Sequence, residues 1–161
     1  LWALGCSVLA FFGAGVWGFL HTLHPINYYT HGTQVTAAHG HLAFFGAYVS
    51  LNFAIMTYAL PSIFKSNPYN QVLNMISFWV MSSAMAFMTF VLTFAGAVQT
   101  HLQRVMGMNF MEVQDHLALF YWMRFGSGLV VVIGGLMLIY ALVGPRKESA
   151  VSVDGVMQPA E

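Results

Sequence analysis

The segment His39-Gly40-His41 places two imidazoles one residue apart in an otherwise apolar stretch. Imidazole titrates near neutral pH and, when neutral, binds metals through either ring nitrogen. On a helix, two positions amount to about 200° of rotation, so the rings project from nearly opposite faces. Such a pair is poorly arranged to grip one ion and well arranged to serve two separate centres. The neutral ring is a common axial ligand of haem iron, and a helix inserted between two haems needs this spacing. Gly40 adds no side chain beside the crowded backbone. The plainer reading is two histidines each bonded to a neighbouring helix, which requires a separate polar partner on each side. A proton relay would also suit histidine, but the acidic residues fall outside the apolar runs or at their fringe. The residues alone leave these readings open.

The remaining histidines carry less. His21, His24 and His31 precede the pair, and His101 and His116 follow it in a second polar connection. Their residue type and placement fit solvated or hydrogen-bonded groups. Cys6, the single cysteine, lies in an apolar run and is read as a small core residue.

These side chains must be positioned by membrane helices. Of 161 residues, 58% are hydrophobic and 6% charged, against about a quarter charged in an ordinary soluble domain. The fold class is therefore all-α, a polytopic transmembrane bundle in a lipid bilayer. Four spans are expected, at about 1–20, 34–60, 71–98 and 117–143, the second stopped by Pro61 and the last by Gly144-Pro145. Each reaches the ~20 residues that cross the hydrocarbon core. Backbone groups in lipid must be satisfied internally, which selects helices, and barrel strands would alternate over ~10 residues where these runs do not. The polar stretch 144–161 is expected to be a cytoplasmic tail. Leu1 opens inside an apolar segment without a charged leader, so a secretory signal fits poorly and the C-terminal piece of a longer polypeptide fits better.

Formal net charge is zero and the basic residues are scattered, which argues against a nucleic-acid partner. Lys65, Arg146 and Lys147 fall on one side of the spans and Arg104 on the other. The positive-inside rule then places the 61–70 loop and the tail in the cytoplasm, with 21–33 and 99–116 facing outward. Arg124, near the start of the fourth span, is expected to snorkel or to pair within the bundle. Small residues recur along the spans (Gly13, Ala14, Gly15, Gly18; Ser82, Ser83, Ala84, Ala86; Gly134, Gly135), as close helix contact in membranes requires. The 11 methionines are read as adaptable packing groups, not metal ligands.

The stretch HGTQVTAAHGHLAFFGAYVSLNFAIMTYALP, residues 31–61, resembles the tenth transmembrane helix of the large subunit of bacterial nitric oxide reductases, within the haem–copper oxidase superfamily. Members share a histidine eight residues before an H-x-H pair, as His31 stands before His39 and His41. The likeness extends over all four spans, which would be the last four of the family's twelve. It implies that His39 is the proximal ligand of a high-spin haem b3 and the catalytic residue of this segment. It implies that His41 is one axial ligand of a low-spin haem b. Arg104 becomes a candidate for pairing with haem propionates, since guanidinium suits carboxylate geometry. His31 is assigned no metal: related oxidases place a ligand there, whereas the reductases hold calcium in that region.

The implied reaction joins two NO with two electrons and two protons to give N2O and water at a haem b3/non-haem iron centre. The other ligands of that iron and of haem b lie on earlier helices, so the partners implied are the remaining helices of the catalytic subunit. Gly40 and the flanking TQVTAA resemble the cytochrome c-dependent type, which works with a membrane-anchored cytochrome c subunit. The implied location is the bacterial inner membrane, with the haem-side loops periplasmic. Two alternatives stand beside this: an O2-reducing terminal oxidase of the same superfamily, whose H-x-H residue is usually aromatic, and a membrane scaffold or transporter bundle with structural histidines.

Overall fold

The computed structural model describes residues 1–64 and 70–144. Lys65, Arg146 and Lys147, on which sidedness rests, and the tail from Pro145 lie outside the described residues. Four helices are long and apolar enough to cross a membrane: α1 (Trp2–Thr22), α3 (Gln34–Leu60), α4 (Gln71–Val105) and α5 (Phe110–Val143). A short helix, α2 (His24–Thr30), connects α1 to α3. No strand occurs among the described residues, so the expected all-α multi-pass bundle is the observed one.

The helix ends depart from expectation in ways their chemistry explains. The helix of the second span runs through Pro61 to Phe64. One missing N–H near a helix end removes a single bond, and the turn closes beyond it. The fourth span starts at Phe110, seven residues before the apolar run, because Asn109 and Glu112 form a reciprocal capping box. His116 consequently lies on a helix and not in a loop. The third span extends to Val105 through a π-helical turn, His101–Val105, and Gly107 at φ 72° reverses the chain toward α5.

The long helices pack in sequence order, α1 on α3, α3 on α4 and α4 on α5. The bundle is held by close approach, because lipid offers no hydrophobic drive between helices. A Cβ added at Gly13 would sit 2.8 Å from the backbone at Leu42 and Ala43, and one at Gly46 would sit 2.6 Å from the backbone at Leu9 and Ala10. These two glycines let α1 and α3 touch backbone to backbone. Gly96 of α4 does the same against Val35, and Gly134 of α5 leaves room for the Met81 side chain. Met81, Met85 and Met88 are buried together with Leu92, Leu138 and Leu142, filling irregular space as packing groups do.

The first turn of α3 is fixed twice. The Thr33 hydroxyl accepts from the Val35 N–H at 3.3 Å. The Gln34 N–H donates to Oε1 of Gln99 on α4 at 2.9 Å, and Gln99 is 1% exposed. The first N–H groups of a helix lack intrahelical acceptors, and here a neighbouring span supplies one. This contact sets the height of α3 against α4, and with it the depth of His39 and His41.

Candidate functional site

His39 and His41 are directed to different elements. Nδ1 of His39 donates to the Gly13 carbonyl on α1 at 2.8 Å. His41 turns the other way, into a groove of about 540 Å³ lined by Met88 of α4 and by Tyr121, Arg124, Phe125, Gly128, Leu129 and Val132 of α5. Its Nδ1 donates to the Ala37 carbonyl, one turn back in its own helix, at 2.7 Å. The 200° separation of the two positions is thus realised as two sites on opposite flanks of α3.

Both rings share a bonding state. A carbonyl can only accept, so in each neutral ring Nδ1 carries the proton and Nε2 presents a lone pair. Donation by the second ring nitrogen to a backbone carbonyl is the arrangement that fixes tautomer and orientation in metal-ligating histidines. Neither ring has a second bond to a described residue, and no group of three or more His, Cys, Asp or Glu that could hold an ion occurs among the described residues. One-ring axial ligation fits this geometry, and a protein-only metal cage does not.

The local fold explains the first site. Gly13 lies in a π-helical stretch of α1, Phe11–Val16, and a second such stretch, Phe45–Val49, follows His41 on α3. Insertions of this kind widen a helix, re-aim its groups and recur at functional sites. With no Cβ at Gly13 the two backbones approach until the carbonyl meets the imidazole. Gly18, one turn further, lies beside the ring: a Cβ there would stand 3.5 Å from Cε1 of His39. The second site is apolar along its length, with Tyr121 and Arg124 at the end nearer the start of α5. A flat macrocycle carrying carboxylates requires such walls and such a cationic end.

Of the other expected residues, Arg104 is exposed in the last turn of α4, and no contact joins it to His39 or His41. His24, His31, His101 and His116 are exposed, and His24 stacks on Tyr28 with ring centres 6.1 Å apart. Arg124, expected to snorkel or pair, forms no ion pair among the described residues and lines the His41 groove. Two features were not foreseen. His21 belongs to the last turn of α1 and stacks on His39, centres 5.0 Å apart and planes 25° from parallel. Tyr121 accepts from Gln34 Nε2 at 3.2 Å and donates to Gln114 Oε1 at 2.6 Å. The spacing Gly13, Trp17, His21 is a helical face readable in the sequence once α1 is carried past Leu20.

Fold and site define a multi-pass helical membrane protein, and the chain belongs to the family described as cytochrome c and quinol oxidase polypeptide I, whose pattern matches residues 1–130. Membership makes haem the general class of cofactor. Within that family the chain is 46% identical over 149 residues to a nitric oxide reductase subunit from Stutzerimonas stutzeri, a match covering 88% of this chain and 31% of that protein. It therefore spans about a third of the length of this relative.

Proposed function

We propose that this chain is part of the haem-bearing subunit of a respiratory nitric oxide reductase in a bacterial inner membrane. His41 is an axial ligand of the low-spin haem b and His39 the proximal ligand of the high-spin haem b3. The observation that carries this is the outward aim of the two rings, each anchored through Nδ1 and open at Nε2. When bound, the haems supply the redox chemistry, passing electrons from haem b to a haem b3/non-haem iron centre where two NO become N2O and water with two electrons and two protons.

The residues of this chain have the work of holding and orienting. Gly13 and Ala37 fix the tautomers of the ligand rings, the α3 backbone ties the two sites together through Gly40, and the α4–α5 groove sets apolar walls beside His41. Among the described residues, Arg104 and Arg124 are the Lys/Arg cations available to propionates. The second ligand of haem b and the ligands of the non-haem iron come from the remaining helices of the catalytic subunit, and the complete enzyme also holds a calcium ion that this chain does not fully ligate. A membrane-anchored cytochrome c subunit is the electron donor, the haem-side connections face the periplasm and the tail the cytoplasm.

The test is a pyridine haemochrome spectrum of the native complex, with the ligand variants beside it. Two b-type haems per copy and c-type haem in a companion subunit are expected. His39→Ala abolishes NO reduction and keeps most of the low-spin signal, whereas His41→Ala removes that signal. Haem A would move the chain to an O2-reducing oxidase. Both spectra intact in both variants would return the pair to structural histidines.

A further inference from the structure

Two imidazoles, not one, stand on the same face of α1. His39 donates its Nδ1–H to the Gly13 carbonyl at 2.8 Å and His21 donates its own to the Trp17 carbonyl at 2.9 Å. Gly13 and Trp17 are one turn apart, so the rings stand side by side, 5.0 Å between centres and 25° from parallel. Nε2 of His21 is buried without a hydrogen-bond partner among the described residues. A buried polar nitrogen left unpaired costs free energy, which a structurally indifferent position would avoid by holding an apolar residue. Gly18 lies on the same flank and leaves only van der Waals space beside His39.

The Gly13 bond fixes the tautomer and the aim of the His39 ring, but a hydrogen bond tolerates a bent angle, so a residual swing of the ring plane about its long axis remains. A flat ring lying against one face limits that swing, because tilting either plane drives atoms into the other. We infer that His21 is a positioning residue for His39: its stacked ring fixes the plane that the axial imidazole presents to the haem. This rests on the reading of His39 as the haem b3 ligand. Flatness carries the role. A planar ring of similar size preserves it, and a branched aliphatic side chain of similar bulk does not.

The experiment compares His21→Phe and His21→Leu in the complete reduced enzyme by resonance Raman spectroscopy, reading the iron–histidine stretching band of the high-spin haem. His21→Phe is expected to keep the native position and width. In His21→Leu the band is expected to move to lower frequency and broaden, while the low-spin haem b bands stay unchanged in both. A native band in His21→Leu, or an equal shift in both variants, overturns the proposal. Should His21→Leu fail to retain haem b3, His21→Phe decides, a native band supporting the role and a shifted or missing one overturning it. The ligand reading is tested separately by His39→Gly with added imidazole. Persistence of the native band in His39→Gly without imidazole would sink that reading itself, an outcome distinct from silence in the His21 variants alone.

Discussion

His39 and Gly13 are 26 positions apart in sequence, and the imidazole Nδ1 of one lies 2.8 Å from the carbonyl oxygen of the other. The bond exists because Gly13 has no side chain: a Cβ there would press to 2.8 Å on the backbone of α3. Backbone cannot yield as a flexible side chain does. Gly13→Val therefore separates α1 from α3, at a cost of about 1–3 kcal/mol for overpacking, and breaks the anchor of the His39 ring. The high-spin haem content should fall steeply while the low-spin spectrum survives, since His41 faces the other flank. Equal loss of both signals would show that Gly13 supports the bundle as a whole and not this site.

A second prediction concerns the depth of the pair. Gln99 is buried and its Oε1 accepts the Gln34 N–H. Gln99→Leu leaves that donor without a partner, which costs about 1–3 kcal/mol. Gln99→Glu keeps an acceptor oxygen and should recover part of the loss if the carboxyl remains neutral. Thermal unfolding of the purified complex, followed by release of haem, checks this. An unchanged midpoint in Gln99→Leu would mean that Thr33 alone suffices to cap α3.

How far the sequence reaches is visible in these same residues. Hydropathy and length marked four spans, and the 200° offset of positions 39 and 41 marked two opposite sites, because both depend only on local periodicity. The Asn109-x-x-Glu112 box was equally local, yet it begins in polar sequence, where a search for apolar runs does not look. Gly13 and Gly46 are another matter. Each meets the backbone of the other's helix, and only knowledge of which helices are neighbours reveals that. The π-helical stretches at Phe11–Val16 and Phe45–Val49 are likewise products of packing, not of composition. His21 was hidden by a span ended two residues early.

The α4–α5 contact yields a third prediction. Ser77 is buried and its hydroxyl donates to the Gly134 carbonyl, and a Cβ at Gly134 would overlap Met81. The wall of the His41 groove depends on α5 staying this close to α4. Gly134→Leu should push α5 away, lower the low-spin haem content and leave His39 on its α1 anchor. The ratio of the two haem signals measures this, and a preserved ratio would count against the groove as the haem b site.

The two arginines separate by where they stand. Arg124 lines the groove beside His41 and forms no ion pair among the described residues, whereas Arg104 is exposed at the end of α4. Reduction adds an electron to a haem, so a nearby cation favours the reduced state and raises the midpoint potential. At ~10 Å and an effective dielectric of about 20, one charge contributes about 1.7 kcal/mol, or roughly 70 mV for a one-electron couple. Arg124→Leu should therefore lower the midpoint potential of haem b by tens of millivolts. Arg124→Lys keeps the charge and should recover most of it. Arg104→Leu, screened by water, should shift the same potential far less, and the small shift it does produce should shrink further as salt is raised. Spectroelectrochemical titration of the three variants reads these differences directly. A larger drop in Arg104→Leu than in Arg124→Leu would assign the principal electrostatic contact to the loop arginine and leave Arg124 as a lining residue of the groove.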